Sequence, residues 1–247
     1  MDRKLRGMLI VIPAHNEEEY LLGCLQAVER SKAELQASHP EITVHVMVVI
    51  DACTDRTAQL ANGFSAEHSG YSALQVPFGN VGRSRAFGVA QGLARLPASC
   101  PPASTWIACT DADTRVPEQW LEEFASAYRA GADAVTGTVE PDRTELTAPL
   151  YRRWSERYLL APHHPHIHGA NLGICAETYL QVGGFKALAA HEDVDLVDRT
   201  RHAGYRVEAT DRLHALTSGR LEGRLSSGFA DYLSALAGEG ATAPAAR

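Results

Sequence analysis

No run of about 18 apolar residues occurs anywhere in the 247-residue chain, so no membrane-spanning helix is expected. Positive charge is not in excess either. There are 23 lysines and arginines against 30 aspartates and glutamates, a net charge of -7. A nucleic-acid binder concentrates cations to displace phosphate counterions, so this balance argues against a nucleic-acid partner. No CxxC pair is present. The five cysteines (Cys24, Cys53, Cys100, Cys109 and Cys175) are odd in number and widely spaced. They read as reduced, buried thiols of a cytoplasmic protein. The basic start, residues 1–6, leads into an apolar stretch at 7–13 that is too short and too β-like for a secretion signal. Internal repeats are also missing. No G-x-G-x-x-G follows the first apolar strand, which disfavours a Rossmann dehydrogenase.

What the chain has is alternation. Residues 8–12 form a continuous β-branched run ending at Pro13, the mark of a buried parallel strand. Residues 17–36 carry Leu21, Leu22, Leu25 and Val28 at helical spacing. Residues 42–50 are a second strand, and Thr54 and Asp55 offer caps for a helix towards Phe64. A short strand at 73–76, a helix at 82–96, a strand at 105–110, a helix at 118–129 behind Pro117 and a strand at 134–139 continue the pattern. Strands and helices alternating with short links predict an α/β fold, a mostly parallel sheet with helices on both faces. Beyond it, 150–160 reads as helix, 169–176 as a return to the sheet and 192–202 as helix. Residues 221–247 read as a tail whose last ten positions are disordered.

Ligands of such sheets collect at the carboxyl ends of the strands. Three polar clusters fall there: His15, Asn16 and Glu17 after the first strand, Asp51 after the second, and Asp111-Ala112-Asp113 after a later one. Two carboxylates one residue apart at a strand end can face one cleft. Alone they repel, but a hard divalent cation such as Mn²⁺ or Mg²⁺ relieves this while holding two phosphate oxygens. A solvated acidic turn is the alternative reading. The His163-His164-Pro165-His166-Ile167-His168 run suggests zinc, yet two prolines and no cysteine disfavour a structural site. A loop near a second substrate fits it better. Trp154 and Tyr158 read as core or as a platform beside that loop.

Four segments, in order, resemble the family 2 glycosyltransferases of the GT-A fold. These are residues 11–18, residues 48–57, the Asp111-Ala112-Asp113 triplet, and Gly183-Gly184-Phe185 followed by His191-Glu192-Asp193. The resemblance spans about residues 8 to 220 and implies one GT-A domain over 1–220. Its nucleotide-sugar half covers about 1–113 and its acceptor half about 114–220. It implies a glycosyltransferase moving a sugar from a UDP- or GDP-linked donor to an unidentified acceptor hydroxyl, with inversion, and leaves room for a homo-oligomer.

The implied roles go position by position. Pro13, Ala14, His15 and Glu17 frame the nucleotide. Asp51 accepts a hydrogen bond from the base, although Ile50 and Ala52 depart from the family's usual pattern. Residues 80–85 resemble the segment that sets a basic residue near the donor. Arg83 or Arg85 is the candidate, beside helix N–H groups suited to phosphate. Asp111 and Ala112 flank the donor phosphates, Asp113 with Asp111 holds Mn²⁺ or Mg²⁺, His214 is a third metal ligand and Arg220 a diphosphate contact. Asp193, with Glu192 second, deprotonates the acceptor, which His168 and Asn171 help to hold. The rival readings are a sugar nucleotidyltransferase, disfavoured by the absence of a Gly-rich basic loop after the first strand, and a non-catalytic nucleotide-sugar binder.

Overall fold

The computed structural model describes residues 3–223 and 228–241. Strand β1 (Gly7–Ala14) leads into helix α1 (Leu21–Ser38), β2 (Thr43–Asp51) into α2 (Thr57–Glu67), and β3 (Tyr71–Val76) into α3 (Val81–Leu93). Then β4 (Thr105–Cys109) stops just short of the paired aspartates, and a two-residue strand, β5 (Thr114–Arg115), follows them. Helix α4 (Trp120–Arg129), β6 (Ala134–Pro141), α5 (Ala148–Arg157) and β7 (Leu172–Cys175) come next. Helices α6 (Ala176–Gln181) and α7 (Glu192–His202), strand β8 (Val207–Thr217) and α8 (Phe229–Ala241) complete the order.

The strands form one eight-stranded sheet in the order β3-β2-β1-β4-β7-β6-β8-β5. The first four strands in that order are parallel, β7 is antiparallel to both its neighbours, and β6 and β8 are again parallel. Period-two alternation sorts each central strand between two cores. Met8, Ile10 and Ile12 of β1 join Val46, Val48 and Trp106 in the core under α1, α2 and α4. Leu9 and Val11 join Met47, Val49 and Ile107 on the opposite face, against α3, α6 and α7. Helix α3 lies close to the sheet because Gly88 and Gly92 face it. A Cβ on either would run into Val11 and Val49, or into Leu9.

The second half of the chain departs from expectation in two places. The sequence pattern predicts no strand around His214, but it sits inside β8, which pairs with β6 from Val207 to Thr217 through a register shift. The end expected to be disordered from residue 238 is helical as far as Ala241, while residues 242–247 lie outside the described residues. Leu233 and Leu236 of α8 pack with Leu150, Trp154 and Tyr158 in a third apolar cluster. Among the described residues, no helix is long and apolar enough to cross a membrane.

Candidate active site

A cavity of about 620 Å³ opens at the carboxyl ends of β1, β2 and β4 and extends under α5 and α8. Backbone strain of the kind that concentrates at working sites occurs at His191 in its wall and at Asn16 and Ala52, next to lining residues in sequence. Asn16 (φ 54°), Ala52 (φ 49°) and His191 (φ 60°) are all left-handed without being glycine. At the first of these the conformation is repaid locally, since the Asn16 carboxamide oxygen accepts the Thr54 N–H at 2.7 Å.

The paired aspartates stand on the turn between β4 and β5, closed by the Thr114 N–H on the Asp111 carbonyl at 3.0 Å. Asp111 and Asp113 both line the cavity, as the sequence pattern requires. Each is held by an arginine from elsewhere in the chain. Arg85, 2% exposed, donates to Asp111 Oδ1 and reaches Glu192 Oε1 at 3.4 Å. Arg220 forks onto both Glu17 oxygens at 2.9 Å and lies 2.7 Å from Asp113 Oδ2. Ser218 adds a hydroxyl bond to the same Asp113 oxygen at 2.9 Å. The β5–β8 pairing, Thr114 opposite Thr217, brings Ser218 and Arg220 there.

Electrostatics follow from burial. The Asp111 side chain is 38% exposed where it lines the cavity. Removal from bulk solvent raises its pKa, Arg85 opposes the rise, and the neighbouring Asp113 adds to it. Glu192 is raised in the same way, by burial first, against the pull of Arg85. Burial works to lower the Arg85 pKa, yet Asp111 and Glu192 outweigh it and raise it above its ordinary value.

Four carboxylates (Glu17, Asp111, Asp113 and Glu192) thus share two guanidiniums. The excess of negative charge and the hard oxygen donors fit a divalent cation. Among the described residues, however, no group of three His, Cys, Asp or Glu is placed to hold one. Two carboxylates with phosphate oxygens supplied by a ligand are a common Mg²⁺ arrangement, so the residues fit an ion that arrives with its substrate. His214 does not complete the set. It is exposed on β8 with Nδ1 2.6 Å from Thr138 Oγ1, and it is not part of the cavity wall.

At the ends of β1 and β4, Pro13, Ala14, His15 and Glu17 line the cavity with Ala112. His15 Nδ1 lies 2.6 Å from the Asp51 carbonyl, tying the β1 and β2 turns together. Asp51 also reaches the wall, but its carboxylate is consumed by the chain. Oδ1 accepts the N–H groups of Phe78 and Gly79 at 2.7 Å, while Oδ2 accepts Asn80 N–H at 2.9 Å and the Ser84 hydroxyl at 2.8 Å. It organises the loop into α3, and an oxygen so engaged has little capacity left for a base. Two N–H groups at the start of α3 are engaged as well, Gly82 N–H on the Leu188 carbonyl and Arg83 N–H on the Asn80 side chain. Arg83 itself is exposed and stacks over Phe78, 4.1 Å from the ring centroid. Of the two arginines, only Arg85 points inward, and as a buried strut.

Across the cavity, Asp193 opens α7. Its Oδ2 accepts the Gly169 N–H at 2.6 Å and its Oδ1 the Val194 N–H at 2.8 Å, which fixes the carboxylate at the wall. Glu192 beside it is buried on Arg85, so the two acids have different surroundings. His168 lines the same end with Nε2 2.8 Å from the Tyr158 hydroxyl. Burial pushes its pKa down to about 4, with His166 and His164 adding to the fall and Asp193 opposing it. Asn171 corrects an expectation. It is fully buried, donates to the Thr138 and Leu213 carbonyls at 2.8 and 2.9 Å, and accepts from the Trp120 indole at 2.9 Å. It is a strut between β6, β8 and α4 and presents nothing to the cavity. Sequence reasoning missed Ser218, Phe229 and Tyr232 as cavity residues, because only pairing and packing distant in the chain bring them there.

Residues 9–177 match the family model described as Glycosyl transferase family 2. No curated protein matches the chain. Among solved structures, TarS from S. aureus aligns with a TM-score of 0.60 at 14% identity, covering 93% of this chain and 70% of that one. The mannosyltransferase PcManGT from Pyrobaculum calidifontis, in complex with GDP-Man and Mn²⁺, aligns at 0.59 and 18% identity, over 90% of this chain and 58% of that one. Glucosyl-3-phosphoglycerate synthase from Mycobacterium tuberculosis, in complex with Mn²⁺, UDP-glucose and phosphoglyceric acid, aligns at 0.55 and 16%, over 87% and 72%. At these identities the likeness is one of fold, and it confirms the GT-A expectation.

Proposed function

The chain belongs to glycosyl transferase family 2, and from that premise we propose that it moves a sugar from a nucleoside-diphosphate donor to an acceptor hydroxyl with inversion. The observation that carries the reading is the convergence, in one cavity, of the Asp111–Asp113 pair on the β4 turn and Asp193 across from it. The nucleotide lies against the β1 and β2 turns. Arg220, which already bridges Glu17 and Asp113, is placed to pass its charge to the diphosphate. A divalent cation held by Asp111 and Asp113 would neutralise charge on the leaving diphosphate.

The remaining work falls to the chain's own groups. The Gly169 and Val194 N–H groups hold Asp193 so that a free lone pair can face the acceptor hydroxyl. As that oxygen forms its bond to the anomeric carbon, the proton passes to Asp193. The bond from that carbon to the phosphate oxygen breaks on the opposite side, its electron pair leaving with the nucleoside diphosphate. Arg85 keeps Asp111 and Glu192 from repelling each other below the site. The structural neighbours solved with GDP-Man or UDP-glucose and Mn²⁺ are compatible with such a donor and ion.

The test is a thermal-shift panel of UDP-, GDP- and TDP-sugars with and without Mn²⁺, run on the wild type and on Asp113→Ala. Ligand that binds the native state raises the melting point with its affinity. A metal-dependent shift with one donor, lost in the folded variant together with turnover, is expected. Near-normal turnover by Asp113→Ala in Mn²⁺ refutes the metal assignment.

A further inference from the structure

Gly169 touches both halves of the site. It opens a short 3₁₀ turn, Gly169–Asn171, and is buried in the cavity wall. Its N–H donates to Asp193 Oδ2 at 2.6 Å, a bond that reaches Asp193 from outside its own helix. Against the same residue lies the Arg85 guanidinium. A Cβ on Gly169 would stand 2.6 Å from Arg85 Cζ and 2.8 Å from Nη1, well inside the roughly 3.5 Å at which carbon atoms come to rest. Conformation is not what calls for glycine here. Gly183 and Gly184 are left-handed, but Gly169 is not. Space is the reason.

The guanidinium has little room to retreat. It is 2% exposed, paired with Asp111 and Glu192, and its Cζ lies 6.0 Å from the Phe185 ring centroid. Drawing it away from two carboxylates inside the protein costs more than giving up one backbone hydrogen bond at the cavity wall. A methyl group at position 169 would therefore displace the turn rather than the arginine. The turn carries the N–H that holds Asp193, so the displacement reaches the carboxylate.

Resting on the glycosyltransferase reading, we infer that Gly169 is a positioning residue of the reaction, bare of a side chain so that its N–H can hold Asp193 while its backbone lies against Arg85. The arginine that pairs with Asp111 thereby also sets where Asp193 stands. One guanidinium fixes the spacing between the acid on the β4 turn and the acid on α7.

The experiment follows hydrolysis of UDP-glucose and GDP-mannose by the full chain in Mn²⁺, with water taking the acceptor's place at Asp193. It compares the wild type with Gly169→Ala, Arg85→Lys and the double variant. Misplacing a reacting group by about 1 Å costs about a hundredfold, so Gly169→Ala should lower kcat about thirty- to a hundredfold. Donor KM should stay within about threefold, because the β1, β2 and β4 turns are untouched. Lysine is shorter than arginine and lacks the planar head, so it vacates the space that the new methyl group needs. The double variant should therefore turn over about tenfold or more faster than Gly169→Ala, a non-additivity that a role in folding alone would not produce in kcat. Should Gly169→Ala lose its melting point, the double variant should regain it. The inference is overturned if Gly169→Ala keeps kcat within about twofold or raises only donor KM. It is equally overturned if the double variant is neither faster nor more stable than Gly169→Ala, or if the wild type binds a donor and hydrolyses none. Failure of the broader reading looks different: neither donor binds the wild type at all.

Discussion

Replacing Asn171 by alanine separates a strut from an acceptor contact. The carboxamide is fully buried and serves three partners: the Trp120 indole N–H at 2.9 Å and the carbonyls of Thr138 and Leu213 at 2.8 and 2.9 Å. The losses are unequal. The Leu213 carbonyl keeps the Thr138 hydroxyl at 3.2 Å, so it is not orphaned. The Trp120 N–H loses the partner it has here, inside the core, and a buried unsatisfied donor costs about 1–3 kcal/mol. Adding the weakened Thr138 carbonyl and the space left by the amide brings the total to about 3–5 kcal/mol. For a chain of this size each kcal/mol moves the melting point by about 2–4 °C, so a fall of about 6–20 °C is expected. Calorimetry measures it. Acceptor KM, taken well below the transition, should stay within about twofold. A stability change under about 1 kcal/mol with a large rise in acceptor KM would refute the strut and return Asn171 to the acceptor.

Three other outcomes follow from the same geometry. Arg85→Met leaves Asp111 and Glu192 without their shared cation. The cost should be about 2–4 kcal/mol in urea unfolding, less than for a fully buried orphan because Asp111 opens to the cavity; an unchanged midpoint would count against the role. His214→Ala should leave Mn²⁺ affinity, measured by titration in the presence of nucleotide, unchanged, since this imidazole is not in the cavity wall; a tenfold loss would restore it as a ligand. His168 has a pKa lowered to about 4, so the native state resists a proton that the unfolded chain accepts near 6.5. Its contribution is therefore present above pH 6.5 and is lost as the pH falls towards 4, by up to about 3 kcal/mol. His168→Gln should flatten that part of the stability profile, and an identical slope in both proteins would contradict it.

Where the signal was local, the sequence was sufficient. The β-branched runs that became β1, β2 and β4 had to be buried on both faces, and that dictated a parallel sheet and the positions of Asp51, Asp111 and Asp113 at its carboxyl edge. Helix α7 begins at Glu192 as its acidic first turn predicts. Strand β8 was harder to see. Only Leu213, Ala215 and Thr217 are buried along its outer half, between exposed Arg212 and His214, so its alternation is brief and interrupted by charge.

Residue type and spacing determined the family, the fold and the acids that face the cavity, because backbone periodicity and strand ends are encoded within a few neighbouring positions. Which groups remain free to act was decided only by the tertiary structure. Asp51 and Asn171 are spent on the chain's own N–H and C=O groups, Glu192 is spent on Arg85, and Asp193 is held at the cavity wall. The physical reason is that a buried polar group must be satisfied by whatever partner folding delivers, and, apart from Val194 beside Asp193, those partners lie 24 to 107 residues away.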